Sequence, residues 1–294
     1  MILRSRAMLL LLVVPVSVVL LLVATPPVED FGLHSDRWTG LSFVAEELDT
    51  EAVWSLSELE RQVEPTTLLL VPRKPVTRKD VSGLASFVEA GGTLVLMDDF
   101  GYGNDLLSGL GLDMTLADGE LLDPVLCEKN ENMPLATIAD PEAKDGSLVL
   151  QLNHATWLET GEGVEVLGAS SRFSFGDVDH SGIRDHGEPA GPLPVAASCA
   201  MGDGRVVVVA DCSILINGMV GMEDNLEFLS GFADGPVLVA ATHLPDSGAD
   251  GGKRVVASLR AALQTYAGMT VAVSMVLAVT LLYPWYNRRR RYAY

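Results

Sequence analysis

Three short runs constrain this chain more than any other feature: TTLLLVP (66–72), TLVLMDD (93–99) and the valines of GDGRVVVVADC (202–212). A strand buried on one face alternates apolar and polar residues, whereas one buried on both faces is apolar throughout. Between the first two runs lies VTRKDVSGLASFVEAGG (76–92), in which Thr77 and Asp80 have N-cap spacing and Gly91 supplies a stop. Strand, helix and strand at this spacing predict a crossover unit on a parallel sheet.

The surrounding sequence extends the pattern. GLSFVAEELD (40–49) has helical apolar spacing and EAVWSL (51–56) is a short strand. YGNDLLSGLGL (102–112) predicts a short helix starting near Asn104, and MEDNLEFLSGFADG (222–235) another that begins near Asn225. Both asparagines are read as helix-start residues. PVLVAATHLP (236–245) is a further apolar stretch. From about 116 to 200 the alternation lapses into short strands, turns and acidic loops. The expected fold is α/β, a mostly parallel sheet flanked by helices with a β-rich insertion at about 116–200.

The ends of the chain carry two charge-free apolar runs, AMLLLLVVPVSVVLLLVA (7–24) and AGMTVAVSMVLAVTLLYPW (267–285). Each matches the roughly 20 residues that cross a bilayer. Arg4 and Arg6 precede the first and Arg288–Arg291 follow the second. The positive-inside rule then expects both termini in the cytoplasm, two transmembrane helices and the central domain outside the cell membrane. A cleavable signal peptide is the alternative for the first run, with Leu22 an awkward −3 residue. A linker at 26–36 and an amphipathic helix at 253–266 would join the domain to the spans.

The chain has a net charge of −19, and all 39 acidic residues lie between the two runs. So acidic a domain excludes nucleic acid as a partner, because that contact needs a basic patch. Cys127, Cys199 and Cys212 are too few and too scattered for a disulfide framework or a zinc site.

One motif carries possible chemistry. In DVDHSGIRDHGE (177–188), Asp177, Asp179, Ser181, Ile183, Asp185 and Glu188 occupy positions 1, 3, 5, 7, 9 and 12, and Gly182 position 6. This is the ligand grammar of a calcium loop, Ile183 contributing its carbonyl. Arg184 stands where an apolar anchor is usual, and the flanks look extended rather than helical. The expected role is therefore a structural calcium site, with a solvated acidic turn as the alternative and His180 and His186 as bystanders. A second candidate is a ligand rim of Asp98, Asp99, Asp211 and Ser213, which meet only if their strands are neighbours; loop capping by the aspartates is the alternative.

The stretches 87–112, 177–198 and 202–229 together resemble the membrane-anchored proteins of the domain-of-unknown-function 4350 family. That resemblance implies a class I glutamine-amidotransferase-like sheet, as in auxiliary proteins of some transport systems, and no assigned activity. Enzymes of that fold place a cysteine at a strand-to-helix turn with a histidine base. Met97–Gly101 offers none, and Cys212 has no histidine assigned to it by any motif. The expected function is a non-enzymatic domain that binds a partner protein or small ligand, auxiliary to a membrane complex. A hydrolase working through Cys212 and a structural surface component are the alternatives.

Overall fold

The computed structural model describes residues 30–61, 65–140, 143, 146–233, 235–245 and 270. Val28–Pro245 forms a compact unit. Its strands are β1 (Glu51–Ala52), β2 (Thr67–Leu70), β3 (Thr93–Met97), β4 (Met114–Leu116), β5 (Glu120–Leu122), β6 (Leu135–Ala139) and β7 (Ser147–Gln151). They continue with β8 (Leu158–Thr160), β9 (Glu165–Ser170), β10 (Phe175–Asp177), β11 (Pro194–Met201), β12 (Gly204–Val209) and β13 (Val237–Val239). The α-helices are α1 (Ser42–Glu47), α2 (Arg78–Glu89), α3 (Gly103–Leu110) and α4 (Asn225–Ser230).

Nine strands form one sheet in the order β1-β13-β2-β3-β12-β11-β9-β6-β7. The solid apolar runs lie where their composition requires. Leu68, Leu70, Leu94, Leu96, Val206 and Val208 face one core with Leu84, Phe87 and Val88 of α2 and Leu106 and Leu107 of α3. Leu69, Val95, Met97, Val207 and Val209 face the other, with Val44 of α1 and Phe228 and Leu229 of α4. Helix α2 begins as read: Thr77 and Asp80 form a capping box, each side chain bonded to the other's backbone N–H.

The expected mostly parallel sheet is corrected. From β1 to β12 the pairings are parallel. From β12 through β11, β9 and β6 to β7 they are all antiparallel. The sheet is mixed, and an amidotransferase-like layout of helices flanking a parallel sheet does not describe it. The reason lies in the segment expected as an insertion. Its strands alternate, as in β6, where Ala136 and Ile138 are buried and Thr137 and Ala139 exposed. Such strands have ladder groups to pair and one apolar face to bury, and the edge of β12 offers both. The Gly-Asp-Gly turn makes the join: Gly202, with φ +59°, closes a hairpin in which Met201 pairs with Gly204. Two small antiparallel ribbons, β4 with β8 and β5 with β10, complete the unit.

The expected two membrane spans, and the membrane partner and cell-membrane location with cytoplasmic termini that rest on them, are not borne out among the described residues. Among the described residues no helix is long and apolar enough to cross a membrane. The runs at 7–24 and 267–285, and the amphipathic helix at 253–266, lie outside the described residues.

Both asparagines read as helix starts do more than start helices. Asn104 exchanges two hydrogen bonds with the backbone of Leu116, each 2.8 Å long, and so acts as a neighbour to β4. Asn225 reaches across to β7, the edge of the sheet.

Candidate metal centre

The acidic loop leaves the main sheet on the β5–β10 ribbon. Asp177 ends β10 opposite Glu120, and only 2% of it is exposed. Gly176 and Gly119 let both strands close over Trp157: a Cβ on Gly176 would come within 2.4 Å of the indole and one on Gly119 within 2.8 Å. Glu120 is tied down on the same ribbon, its Oε1 accepting from Asn132 Nδ2 at 2.6 Å and contacting His154 Nδ1. The first ligand position of the loop is thus anchored to the body of the domain.

From there the backbone folds the carboxylates inward. Asp177 Oδ1 accepts the Ser181 N–H at 3.0 Å and Oδ2 the Gly182 N–H at 2.9 Å. Asp179 Oδ1 also accepts from Ser181 N–H, at 3.0 Å. Gly182, at φ +77°, makes the sharp turn its position predicted, and His180 joins it in the left-handed region at φ +58°. Glu188 clips the two ends together: Oε1 accepts the Val178 N–H and Oε2 the Asp185 N–H, both at 2.8 Å. Sequence reasoning missed this clip. Its only trace is the spacing of Glu188 from Asp177.

One carboxylate oxygen each from Asp177, Asp179 and Glu188 lies within 4.8 Å of the others, so these three side chains could hold a metal ion. A carboxylate oxygen that accepts one N–H keeps a lone pair for a cation. Of the other expected ligands, Ser181 Oγ donates to the Ile183 carbonyl at 2.9 Å, which brings those two oxygens together. Asp185 is not in the close carboxylate group, and its backbone is engaged with Glu188. An all-oxygen donor set suits a hard cation rather than a thiolate- or imidazole-seeking one.

The rim residues do converge, because β3 and β12 are parallel neighbours and their carboxyl ends meet. Their oxygens, however, serve the loops. Asp98 accepts the N–H groups of Gly101 at 2.9 Å and Gly103 at 2.6 Å, which fixes the entry to α3. Asp211 accepts the N–H groups of Asn153 at 2.7 Å and Ser213 at 2.6 Å. Asp99 accepts from Phe100 N–H at 2.6 Å and from the Cys212 thiol at 3.3 Å, and lies 3.6 Å from Arg73. Burial, seconded by the Asp99 charge, pushes Asp211 up to about 7. Burial also takes Asp98 up to about 6, against the Gly103 hydrogen bond and with the Asp99 charge.

The same surroundings disarm Cys212. Its side chain is buried, and burial first, then the Asp99 and Asp211 charges, push the thiol well above its ordinary value, with Arg73 opposing. A nucleophile needs the thiolate, and this site disfavours it.

A family model described as Domain of unknown function (DUF4350) matches residues 35–233. No curated protein matches the chain. Among solved structures the chain is similar to the mmIFT52 N-terminal domain, at 14% identity and a TM-score of 0.48, over 62% of this chain and 82% of that one. It is also similar to the β-galactosidase from Bacillus circulans sp. alkalophilus, at 17% identity and a TM-score of 0.35, over 56% of this chain and 23% of that one. The cytoplasmic protein STM3548 from Salmonella typhimurium is similar at 12% identity and a TM-score of 0.31, over 57% of this chain and 68% of that one.

Proposed function

The chain belongs to the DUF4350 family, and on that premise we propose that residues 30–245 form a binding domain without catalytic chemistry, stiffened by a calcium ion in the 177–188 loop. The observation that carries the metal reading is the mutual approach, within 4.8 Å, of oxygens from Asp177, Asp179 and Glu188. The Ser181 hydroxyl and Ile183 carbonyl, in contact with each other, are the oxygens this loop would add toward the six to eight that calcium takes. The role is structural: the ion offsets the repulsion of clustered carboxylates and locks the loop onto the β5–β10 ribbon. A sensor would need a second state, and the short ribbons at the loop base suggest none. The ligand of the domain is a partner protein or small molecule. The binding reading is supported by the commitment of Asp98, Asp99 and Asp211 to loop amides and of Cys212 to Asp99, which leaves that rim little free chemistry.

Calorimetric titration of the full chain with calcium tests the ion. Heat of binding is expected in the native protein and absent from the Asp177→Ala, Glu188→Ala double variant. At calcium about 100-fold above the Kd, the native protein should gain about 2.7 kcal/mol and melt higher. Trp157, packed under Gly176 and Gly119, supplies an emission change as a second readout. No heat at millimolar calcium, or an unchanged response in the double variant, would reduce the loop to an acidic turn.

A further inference from the structure

We propose that the turn carrying His243 is a proton-operated latch between the end of β13 and the start of α2, closed while the buried ring is neutral and released in mild acid. The ring sits in the short 3-10 turn Ala241–His243 just after β13, and only 4% of it is exposed. Its Nε2 lies 3.9 Å from Asp80 Oδ2. That carboxylate oxygen belongs to the capping box of α2, where it accepts the Thr77 N–H at 2.8 Å and the Thr77 hydroxyl at 2.7 Å. Beside the ring, Lys74 Nζ donates to the Thr242 carbonyl at 3.0 Å, which ties the same turn to the approach of the helix. The other ring nitrogen, Nδ1, is buried without a hydrogen-bond partner.

A neutral ring protonated on Nε2 suits this setting. It turns its one N–H toward the carboxylate side and leaves a bare acceptor nitrogen in the dry interior. A second proton would have to sit on Nδ1, which makes no hydrogen bond, and would place a cation in the dry interior. The charged groups that face the ring are Asp80 on α2 and Lys74 just before it. Burial lowers the ring's pKa from its ordinary 6.5; Asp80 and the Lys74 backbone pull it up, and the Lys74 ammonium pushes it down again.

The latch secures more than its own turn. The Thr242 N–H donates to the Val53 carbonyl at 3.2 Å, and the Val53 N–H to the Val239 carbonyl at 2.8 Å. The edge strand β1, only two residues long, is therefore held to β13 partly from this turn. A ring exposed by local opening regains its ordinary pKa, so opening is favoured as pH falls below 6.5 and is unaffected well above it. Between pH 7.5 and 5.5 the opening constant rises about tenfold when the closed ring stays neutral. The segments that open together are β1, the end of β13 and the 241–243 turn, while the antiparallel half of the sheet stays closed.

Hydrogen–deuterium exchange of the full chain, followed by mass spectrometry and corrected for intrinsic rates, reads this directly. Peptides covering 51–53 and 237–243 are expected to lose protection between pH 7.5 and 5.5, by up to about tenfold, with peptides of β6 and β9 unchanged. In His243→Gln the loss should vanish. A variant that fails to fold does not end the test, because the ring can be titrated by NMR in the native chain. A measured pKa at or above 6.5 overturns the latch, as does equal protection at both pH values or a pH response that survives in the variant.

Discussion

Asn225→Ala is expected to be among the most damaging single substitutions in the domain. Asn225 is fully buried, and its side chain supplies what a further strand would supply at the edge of the sheet. Its Oδ1 accepts the Gln151 N–H at 3.1 Å, and its Nδ2 donates to the Gln151 carbonyl at 3.0 Å and the Met219 carbonyl at 2.9 Å. Asp224 does the same one step along: its Oδ2 accepts the Val149 N–H at 2.8 Å, and its own N–H donates to the Val149 carbonyl at 3.0 Å. Together they cover the open side of β7, which would otherwise present unpaired backbone to other chains. Alanine at 225 leaves two buried groups, the Gln151 N–H and carbonyl, without partners, and removes one of the two hydrogen bonds to the Met219 carbonyl, which keeps that from the Met222 N–H. Each orphan costs about 1–3 kcal/mol, so a loss of about 2–5 kcal/mol is expected, partly relieved by relaxation. Urea denaturation measures it. Asn225→Asp should fare no better, since a carboxylate oxygen would then face two carbonyls. A loss under about 1 kcal/mol in Asn225→Ala would mean the edge is held some other way. Exposure of β7 should also make the alanine variant prone to self-association, visible by light scattering.

Such a role leaves no mark in the sequence. Asn225 precedes an apolar helical pattern, and a helix start is the reading its neighbours permit. Its partner Gln151 is 74 residues away. What was legible depended on local periodicity. β2, β3 and β12 could be read because both of their faces are buried, and α2 because its capping box is written in four consecutive residues. The strands of the antiparallel half are short and alternate, a pattern that names neither partner nor direction. Hence the sheet was expected to be mostly parallel and the segment from 116 to 200 to stand apart from it. The acidic loop was legible as a unit, since its chemistry is carried by spacing within twelve residues. The narrowing to Asp177, Asp179 and Glu188 depends on loop backbone geometry that spacing does not contain. The rim lay between these cases. Asp98, Asp99 and Asp211 stand at strand ends in the sequence, but only the pairing of β3 with β12 brings them together, and only the positions of the Gly101, Gly103, Asn153 and Ser213 amides show how their oxygens are used.

Those buried aspartates set the second large expectation: the domain should lose stability as pH rises from about 4 through about 7. Asp98 and Asp211 have folded pKa values raised from 3.8 to about 6 and about 7. Between the unfolded and folded values the native state holds protons that the unfolded chain has released. The stability these groups contribute is therefore complete below 3.8 and is lost as pH climbs through 6 and 7. One pKa unit corresponds to about 1.4 kcal/mol, so the two sites together are worth on the order of several kcal/mol. His243 works the other way, being held neutral in the fold, so its contribution is full above 6.5 and declines as pH falls below that value. It blunts the acid gain without reversing it, because it is one group against two. Chemical denaturation at pH 5, 6.5 and 8 should show a falling stability, and Asp211→Asn should flatten the curve. The amide keeps one acceptor for Asn153 or Ser213 but turns an NH2 toward the other N–H, a fixed cost of about 1–3 kcal/mol. At pH 5, where the native carboxyl is protonated, the variant is therefore the weaker protein. At pH 8 the native protein carries a buried charge beside Asp99 and the variant does not, so the gap narrows or closes. Parallel curves would show that Asp211 is ionised in the fold throughout this range, its two backbone hydrogen bonds outweighing burial.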